Sequence, residues 1–329
     1  MKLFVVGGGG REHAIIKSLK KNPVVTEIFA APGNGGIAKD ATCVAIGATE
    51  IEKIVAFAVE NKIDYAVVAP DDPLVLGCVD ALEAKGIPCF GPRANAAIIE
   101  GSKAFSKNLM KKYGIPTAAY EVFTDEAAAV EYLKTAPMPT VIKADGLALG
   151  KGVIIAQNFE EAAEAVHSMM SDKVFGKSGD QIVIEEFLTG PEVSVLAFTD
   201  GITVKPMVSS MDHKRAGDND TGLNTGGMGT VAPNPYYTEA MAKECMETIF
   251  LPTMNAMNAG MQAQMLPAQY TKFSDKLIKY FSRNCYYERR RGDRLCSPKE
   301  IAYIREVLTS IGLPHLEFDA YEERYNFVD

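Results

Sequence analysis

Four consecutive glycines, Gly7 to Gly10, follow a short apolar segment at residues 2–6 and lead into a helical pattern. Short apolar segments recur at residues 27–30 and 65–69, with a second amphipathic helix from Thr49. Strands that alternate with helices are typical of βαβ units, which form a right-handed parallel sheet with helices on both faces. Ligands of such sheets bind beyond the carboxyl ends of the strands. The sequence therefore predicts an α/β domain with a ligand near the glycines.

Turn-forming residues follow four predicted strands, at residues 7–10, 31–34, 70–73 and 91–92. The last turn closes an N-terminal domain near residue 100. Free N–H groups in the glycine turn, together with the dipole of the next helix, suit a phosphate. The turn is not a dinucleotide fingerprint, because Glu12 stands where the third glycine is needed. A tight turn used only for packing is the alternative.

The chain of 329 residues is too long for a single hydrophobic core, so we expect more than one domain. With 34 basic and 42 acidic residues it has no overall positive field for nucleic acid or an acidic membrane surface. An anionic ligand must therefore bind at a local site. The six cysteines form no C-x-x-C pair, and no apolar run resembles a signal peptide or a membrane span. We expect a cytoplasmic protein.

The middle of the chain mixes helices and strands and indicates an α+β domain. Strands are predicted at residues 119–123, 140–143, 153–156, 182–186 and 192–198, and helices at 102–113, 125–134 and 159–169. Two glycine-rich polar segments, residues 145–152 and 212–229, are long for simple connections. They are candidate binding loops.

The first of these segments follows Lys143 and ends in a Gly-Lys-Gly sequence around Lys151. It is not a Walker A loop, because Asp145 replaces the first glycine and Gly152 replaces the Ser or Thr that binds magnesium. Two lysines and a closing loop suit a triphosphate, although lysines on a surface hairpin are the alternative. Lys103 opens a helix, where the dipole disfavours a cation, and this favours an anionic partner nearby.

Acidic residues flank the break after the predicted strand at 182–186. Their carboxylates could accept hydrogen bonds from a ribose or an exocyclic amine, although acids at strand ends are also common on surfaces. The second glycine-rich segment contains His213, Lys214 and Arg215, which can neutralise a carboxylate or a phosphate, and later a Gly-Gly pair. It has no helical or strand period. A solvated loop is the alternative.

The composition changes near residue 260. Three arginines precede residue 283, whereas seven lie from Arg283 onward. This shift suggests a frameshifted or joined tail. One helix is predicted there, starting after Ser297 and ending near Gly312.

Taken together, these segments closely resemble the phosphoribosylamine-glycine ligases, ATP-grasp enzymes of purine biosynthesis. The resemblance rests on GGGGREHA from Gly7, PGN from Pro32, GSKAF from Gly101, KADG from Lys143, GKGV from Gly150, EEFL from Glu185, DHKR from Asp212 and NTGGMG from Asn224. It extends from residue 1 to about residue 258. It implies a Rossmann-like substrate-binding domain at 1–101 and an ATP-grasp domain at 102–260, incomplete relative to the family. The tail at 261–329 is atypical.

The resemblance implies that ATP phosphorylates glycine and that the amine of 5-phosphoribosylamine attacks the acyl phosphate, giving glycinamide ribonucleotide, ADP and phosphate. The implied ATP site comprises Lys103, Lys143, Asp145, Gly146, Gly150, Lys151, Gly152, Glu185, Glu186, Phe187, Leu188 and, at the ribose, Glu192. The implied substrate-binding residues are Gly9, Gly10, Arg11, Glu12, Gly33, Asn34, Asp71, Asn224 and Met228. The implied catalytic residues, near glycine and the acyl phosphate, are Asp212, His213, Lys214, Arg215, Gly226 and Gly227.

The family also implies Mg²⁺ (or Mn²⁺), held by a Glu-x-Asn-x-Arg segment that this sequence lacks after residue 258. Asn284 and Glu288 do not fit that pattern, so no metal ligand is assigned. Without the metal, phosphoryl transfer should lose electrostatic support. One alternative is therefore an impaired or non-catalytic protein that binds a nucleotide or a sugar phosphate, and another is a different ATP-grasp ligase or carboxylase. We expect a monomer or a weak homo-oligomer.

Overall fold

The computed structural model describes residues 1–147, 152–201, 203–219, 221–225 and 227–263, together with isolated residues between 276 and 310. The chain divides into two compact units. The first comprises Met1–Asn108 and Ala118–Phe187, and the second comprises Leu109–Thr117 and Leu188–Asp329. The domain boundaries predicted near residues 101 and 260 stay predictions.

The first unit opens with a five-stranded sheet in which every pair of neighbouring strands is parallel. The strand order is β3-β2-β1-β4-β5, with β1 at Lys2–Gly7, β2 at Glu27–Pro32, β3 at Thr42–Cys43, β4 at Tyr65–Val68 and β5 at Cys89–Phe90. The helices are α1 at Gly10–Leu19, α2 at Ile51–Glu60, α3 at Asp71–Val75, α4 at Cys78–Glu83 and α5 at Ala94–Gly101, with a 3₁₀ helix at Ile37–Lys39.

Helices cover both faces of this sheet, which is why β1 is a continuous apolar run. Phe4 and Val6 pack on one face with residues of α2 and α4, such as Ile54 and Leu82. Leu3 and Val5 pack on the other face with Ile16 of α1 and Ile37. The predicted α/β fold is confirmed.

The rest of the first unit contains a four-stranded antiparallel sheet of order β6-β9-β7-β8. Helix α6, at Lys103–Tyr113, belongs to the first unit up to Asn108 and to the second unit from Leu109. The other elements of this part are β6 at Tyr120–Phe123, α7 at Glu126–Leu133, β7 at Thr140–Ala144, β8 at Val153–Ala156, α8 at Phe159–Met170 and β9 at Ile182–Glu186, with a 3₁₀ helix at Gly176–Asp180. Helices α7 and α8 pack on the sheet, and both begin at capping side chains. Asp125 accepts from Ala128 N at 2.8 Å, and Asn158 accepts from Glu161 N at 2.9 Å.

The strands of the second unit form three antiparallel pairs, β10 with β11, β12 with β15 and β13 with β14. Their bounds are Ala197–Thr199, Val204–Pro206, Met211–Asp212, Arg215–Gly217, Thr221–Asn224 and Thr230–Val231 for β10 to β15. They are followed by α9 at Glu239–Cys245, a π-helical segment at Met246–Phe250 and α10 at Leu251–Ala263.

The predicted strand at residues 192–198 is wrong over most of its length. Ser194 makes only an isolated bridge with Ser210, and β10 begins at Ala197. A segment forms a continuous strand only where it keeps a constant register with its partner, and here the register shifts by one residue between the Ser194–Ser210 bridge and β10, where Ala197 pairs with Pro206.

In the tail, the described residues between 276 and 310 are helical. They include Glu300, Tyr303 and Ser310, which agree with the helix predicted between residues 297 and 312. The rings of Tyr280 and Tyr303 stack at 4.0 Å. Over the described part of the chain, no helix has the length and apolar character needed to cross a membrane.

Candidate functional site

The carboxyl edge of the parallel sheet carries the first predicted site. Strand order reverses at β1, which pairs with β2 on one side and with β4 on the other. Ligands of open parallel sheets bind at such a point. The turns after β1 and β2 are joined there, because Gly33 N donates to Gly7 O at 3.2 Å and Asn34 Nδ2 donates to Gly8 O at 2.8 Å.

Gly8 is a position that has no room for a side chain. A Cβ atom there would lie 2.7 Å from Gly33 O, and because that atom belongs to the backbone the turn would have to move. Close approach of two backbones is a known use of glycine in strand-to-helix turns. The packing role that the sequence left open for this turn is therefore present, and it is compatible with an anion bound at the remaining N–H groups.

Glu12 lies in the first turn of α1 and is only 3% exposed. Its Oε2 accepts from Gly9 N at 2.5 Å, whereas Oε1 is buried and has no hydrogen-bond partner in the described structure. A buried carboxylate oxygen without a donor is costly. This oxygen is therefore a candidate acceptor for an amine or hydroxyl of a ligand.

The other residues predicted to contact the sugar phosphate lie near the same edge. Asn34 Oδ1 accepts from two backbone N–H groups of the following turn, at 2.7 and 2.9 Å, so its amide already holds that turn. Gly10 and Arg11 are exposed at the start of α1, and Asp71 is half-buried at the start of α3, directly after β4. Their contacts with a ligand stay predictions.

Asp145 links the loop after β7 to the start of α6. Its carboxylate accepts from Ser102 Oγ at 2.9 Å and from Ala104 N at 3.1 Å. Lys103 Nζ donates to Gly146 O at 2.6 Å and adds a second link. A carboxylate at a helix N-terminus binds free N–H groups and interacts favourably with the dipole, so Asp145 acts as a cap for α6.

Lys103 has a pKa below its usual value. Partial burial disfavours the charged ammonium and is the largest cause, Asp145 opposes it, and the positive charge of Lys143 lowers the pKa further. The structure thus brings two of the predicted phosphate-binding lysines close enough to interact. A bound polyphosphate would favour the charged form of both.

Glu185 is buried between two lysines. Lys107 Nζ lies 2.9 Å from its Oε2, and Lys143 Nζ lies 3.0 Å from its Oε1. The contact with Lys143 lacks hydrogen-bond alignment, so Oε1 is a buried acceptor without a hydrogen bond among the described residues. Sequence analysis identified Lys143 and Glu185 but missed Lys107, because a lysine in a helix gives no sign that it is buried.

Three more residues of the predicted ATP site lie at or just beyond the end of β9: Glu186, Phe187 and Leu188. Ala119 N donates to the carboxylate of the first at 2.9 Å. The other two are exposed apolar side chains. Gly152 is buried directly before β8, whereas Gly150 and Lys151 lie outside the described residues.

Glu192 and Lys214, predicted for the ribose and for glycine, form an ion pair in the second unit. Buried Asn234 supports the backbone beside this pair, since its Nδ2 donates to Glu192 O at 2.9 Å and to Ser210 O at 3.2 Å. Its Oδ1 accepts from Tyr236 N at 2.8 Å. Asn234 is not among the predicted residues, because an asparagine between two prolines is typical of a turn and gives no sign of burial.

The residues predicted near glycine lie on short antiparallel strands and the turns between them. The expectation that this segment has no strand structure was wrong, because strands of two to four residues are too short to show a period. Asp212 ends β12, and Met228 N donates to His213 O at 2.7 Å. Arg215 opens β13, and its guanidinium donates to Gly222 O at 2.9 Å.

Three predicted residues complete this segment. Gly227 N donates to Thr225 Oγ1 at 3.1 Å, and the backbone of Asn224 pairs with Arg215. Gly226 lies outside the described residues, as does the side chain of Asn224.

Lys103 and Lys143 belong to the first unit, whereas Arg215 belongs to the second. Within the described ranges, His, Cys, Asp and Glu side chains do not gather in threes that could hold a metal ion. The sequence has no Glu-x-Asn-x-Arg segment after residue 258, so none of its residues is assigned to the magnesium shell that the family implies.

Family profiles match nearly the whole chain. The N domain of phosphoribosylglycinamide synthetase matches residues 1–100, and the ATP-grasp (A) domain of the same family matches residues 101–273. A family of unknown function (DUF6078) matches residues 226–327.

Relatives with a curated description support the first two matches. The phosphoribosylamine-glycine ligase of Escherichia coli K12 is 49% identical over 261 residues, and that of Pasteurella multocida is 48% identical over 261 residues. Each comparison covers 79% of this chain and 61% of the relative. The chain thus spans about three fifths of the length of the curated relatives it matches.

Solved structures show the same fold. The phosphoribosylamine-glycine ligase of Thermotoga maritima matches with a TM-score of 0.67 and 33% identity, covering 78% of this chain and 61% of that one. The N5-carboxyaminoimidazole ribonucleotide synthetase of Thermus thermophilus matches with a TM-score of 0.57 and 20% identity, covering 78% and 64%. The second likeness concerns the fold alone.

Proposed function

The chain belongs to the phosphoribosylglycinamide synthetase family, and from this premise we propose that it carries out ATP-dependent ligation of glycine to 5-phosphoribosylamine. The γ-phosphoryl group passes from ATP to a carboxylate oxygen of glycine, which releases ADP and forms glycyl phosphate. The amine of phosphoribosylamine then attacks the carbonyl carbon. Phosphate leaves, a proton leaves the nitrogen, and glycinamide ribonucleotide results.

The lysine cluster of the first unit carries this proposal. Transfer between two anions depends mainly on cations and alignment. Lys103 and Lys143 supply two neighbouring ammonium groups, and the lowered pKa of Lys103 marks a partly desolvated cation that an anion would stabilise. Oε1 of Glu185, which pairs with Lys143 but accepts no hydrogen bond from the described residues, can accept one from the nucleotide.

The carboxyl edge of the parallel sheet is proposed to bind phosphoribosylamine. The start of α1 at Gly10 and Arg11 offers N–H groups and a favourable dipole to the phosphate, whereas Gly9 N already donates to Glu12 Oε2. The unpartnered Oε1 of Glu12 can accept from the amine or a ribose hydroxyl. In this assignment residues 1–101 form the substrate-binding domain and residues 102–260 the ATP-grasp domain.

Residues of the second unit are proposed to act on glycine and the acyl phosphate. The ammonium group of Lys214 and the guanidinium of Arg215 provide positive charges that can orient a carboxylate or a phosphate, whereas Glu192, which pairs with Lys214, is proposed to accept from the ribose of ATP. The family implies Mg²⁺ or Mn²⁺, but no step is assigned to it, because the sequence lacks the Glu-x-Asn-x-Arg segment that holds the metal in the family. A cytoplasmic location and a monomer or weak homo-oligomer complete the proposal.

A second candidate is a protein that binds ATP and does not turn it over. It stays an alternative because the Glu-x-Asn-x-Arg segment, which holds the metal in the family, is missing from this sequence. This candidate shares the nucleotide site and differs only in the transfer step.

Phosphate release separates the two candidates. The ligase should release phosphate from ATP and Mg²⁺ only when glycine and phosphoribosylamine are both present, and Lys143→Met should slow release about a hundredfold. Lys53→Met, on an exposed ion pair of α2, is the matched control and should have no effect. ATP at a hundred times its Kd should stabilise a protein that binds it by ~3 kcal/mol and so raise the melting temperature. If ATP raises the melting temperature but phosphate release does not depend on glycine, the second candidate holds. If ATP has no effect in either assay, both are wrong.

A further inference from the structure

Lys107 is a buried lysine of α6 that lies outside the predicted site. Its side chain is 9% exposed, with Nζ 2.9 Å from Glu185 Oε2. Nζ also donates to Ala118 O at 3.4 Å and lies 5.5 Å from the ring centroid of Tyr120. A buried ammonium group requires such partners. Its position is therefore fixed by β9, by β6 and by the residues just before β6.

Lys143 contacts the same carboxylate from the other side. In the register of β7 and β9, Val141 lies opposite Glu185, so Lys143 is its diagonal neighbour on the same face. The Lys143 side chain is 27% exposed, and its Nζ lies 3.0 Å from Glu185 Oε1. Glu185 thus lies between one lysine that solvent barely reaches and one that a ligand can reach.

We propose that Lys107 is a positioning residue of the nucleotide site, which holds Glu185 and through it the ammonium group of Lys143. The inference rests on the proposed function, because it requires a polyphosphate as the ligand of Lys143. Lys107 itself is too buried to contact the ligand. Its ammonium group neutralises one carboxylate oxygen of Glu185. Lys143 is therefore not the only counterion of Glu185 and can also bind the phosphates.

The charges of the cluster explain why this matters. Lys103, Lys107 and Lys143 carry three positive charges, and Asp145, Glu185 and Glu100 carry three negative ones. Without Lys107 the sum falls from 0 to −1, and Glu185 has Lys143 as its remaining partner in this pairing. Lys143 would then neutralise Glu185 at the expense of the phosphates. The loss should grow with the number of phosphate charges on the ligand.

Calorimetric titration of the full chain with ATP and with AMP tests the proposal. Lys107→Met should raise the Kd for ATP by about tenfold or more while changing the Kd for AMP much less. Lys107→Arg keeps the charge and should recover most of the ATP affinity. Lys112→Met, an exposed lysine on the same helix, is the matched control and should match the wild type in both titrations.

A double variant keeps the test decisive if Lys107→Met folds poorly. Lys107→Met with Glu185→Gln removes both buried charges, and its ATP affinity should equal that of Glu185→Gln alone, because Lys107 acts only through Glu185. Equal loss of ATP and AMP affinity in Lys107→Met, or a further loss in the double variant, would overturn the proposal. Failure of the wild type to bind ATP would instead overturn the proposed function on which it rests.

Discussion

The strands of the first unit lie in sheets of four and five strands, whereas those of the second unit form separate pairs. In the first unit β1 and β9 are central and covered, and Phe4 and Ile182 are completely buried. In the second unit, none of the described side chains of β10 to β15 is buried, and Leu196 and Phe198 are 65% and 52% exposed. Two-stranded sheets are marginally stable without a packed face.

This difference separates two ways of holding functional side chains. Lys143 and Glu185 stand on strands whose neighbours are held by a hydrophobic core, so their geometry is supported by many buried groups. Glu192 and Lys214 are held instead by polar contacts, above all those of Asn234. Core burial is worth ~1.5–3 kcal/mol for each large side chain, and a hydrogen bond ~0.5–1.5 kcal/mol. The nucleotide site should therefore be the more rigid part.

The largest expected effect comes from removing a core side chain of the first unit. Phe4→Ala deletes a fully buried ring that packs against Phe57 at 5.1 Å between centroids, and it should lower the free energy of unfolding by ~3–5 kcal/mol. Phe198→Ala, the same change at an exposed position of β10, should cost less than ~1 kcal/mol. Urea unfolding followed by circular dichroism measures both. Equal costs would contradict the contrast between the two units.

A smaller effect is expected at Asn234. Replacing it with alanine leaves the carbonyl groups of Glu192 and Ser210 without this donor, at a cost of ~1–3 kcal/mol. Amide exchange should become faster in the second unit while β1 and β9 stay protected. Asn22→Ala removes an exposed contact of the first unit and is the control. Faster exchange across both units would show that Asn234 stabilises the whole chain and not the second unit alone.

A comparable or smaller effect is expected at the glycine turn. Gly8→Ala should cost ~1–3 kcal/mol, because the new methyl group would meet the backbone of Gly33. Gly10→Ala places a methyl group in open space at the start of α1 and should be neutral or slightly stabilising. Melting temperatures of the two variants test this. A tolerated Gly8→Ala would mean that the two turns can separate.

The smallest effect is expected from acid. Hydrogen bonds from His13 and then Lys20 lower the pKa of Asp40 from its usual 3.8 to about 2. A carboxyl group whose pKa is lower in the folded state stabilises that state fully when the pH is above its pKa in the unfolded chain. This stabilisation is lost as the pH falls toward the pKa in the folded state. The difference in melting temperature between the wild type and Asp40→Asn should therefore shrink between about pH 4 and pH 2. A difference that stays constant over this range would argue against the assignment.

Much of the first unit could be predicted from the sequence. The bounds predicted for the strands at 153–156 and 182–186 are those of β8 and β9, and the helices at 125–134 and 159–169 are within one residue of α7 and α8. These elements have strong periods and local signals such as the caps Asp125 and Asn158. The strand at 192–198 failed, because its pairing depends on a distant segment around Ser210.

The sequence by itself determined the order of the elements, the glycine turn, and the lysines and acids that carry the candidate chemistry, because each leaves a local pattern of spacing or residue type. Only the tertiary structure decided which of these groups lie together. In the folded chain Lys107 is buried against Glu185, Asp145 caps the N-terminus of α6, and Asn234 hydrogen-bonds the backbone of Glu192. Burial and charge pairing depend on residues that are distant in the chain, so no local pattern encodes them.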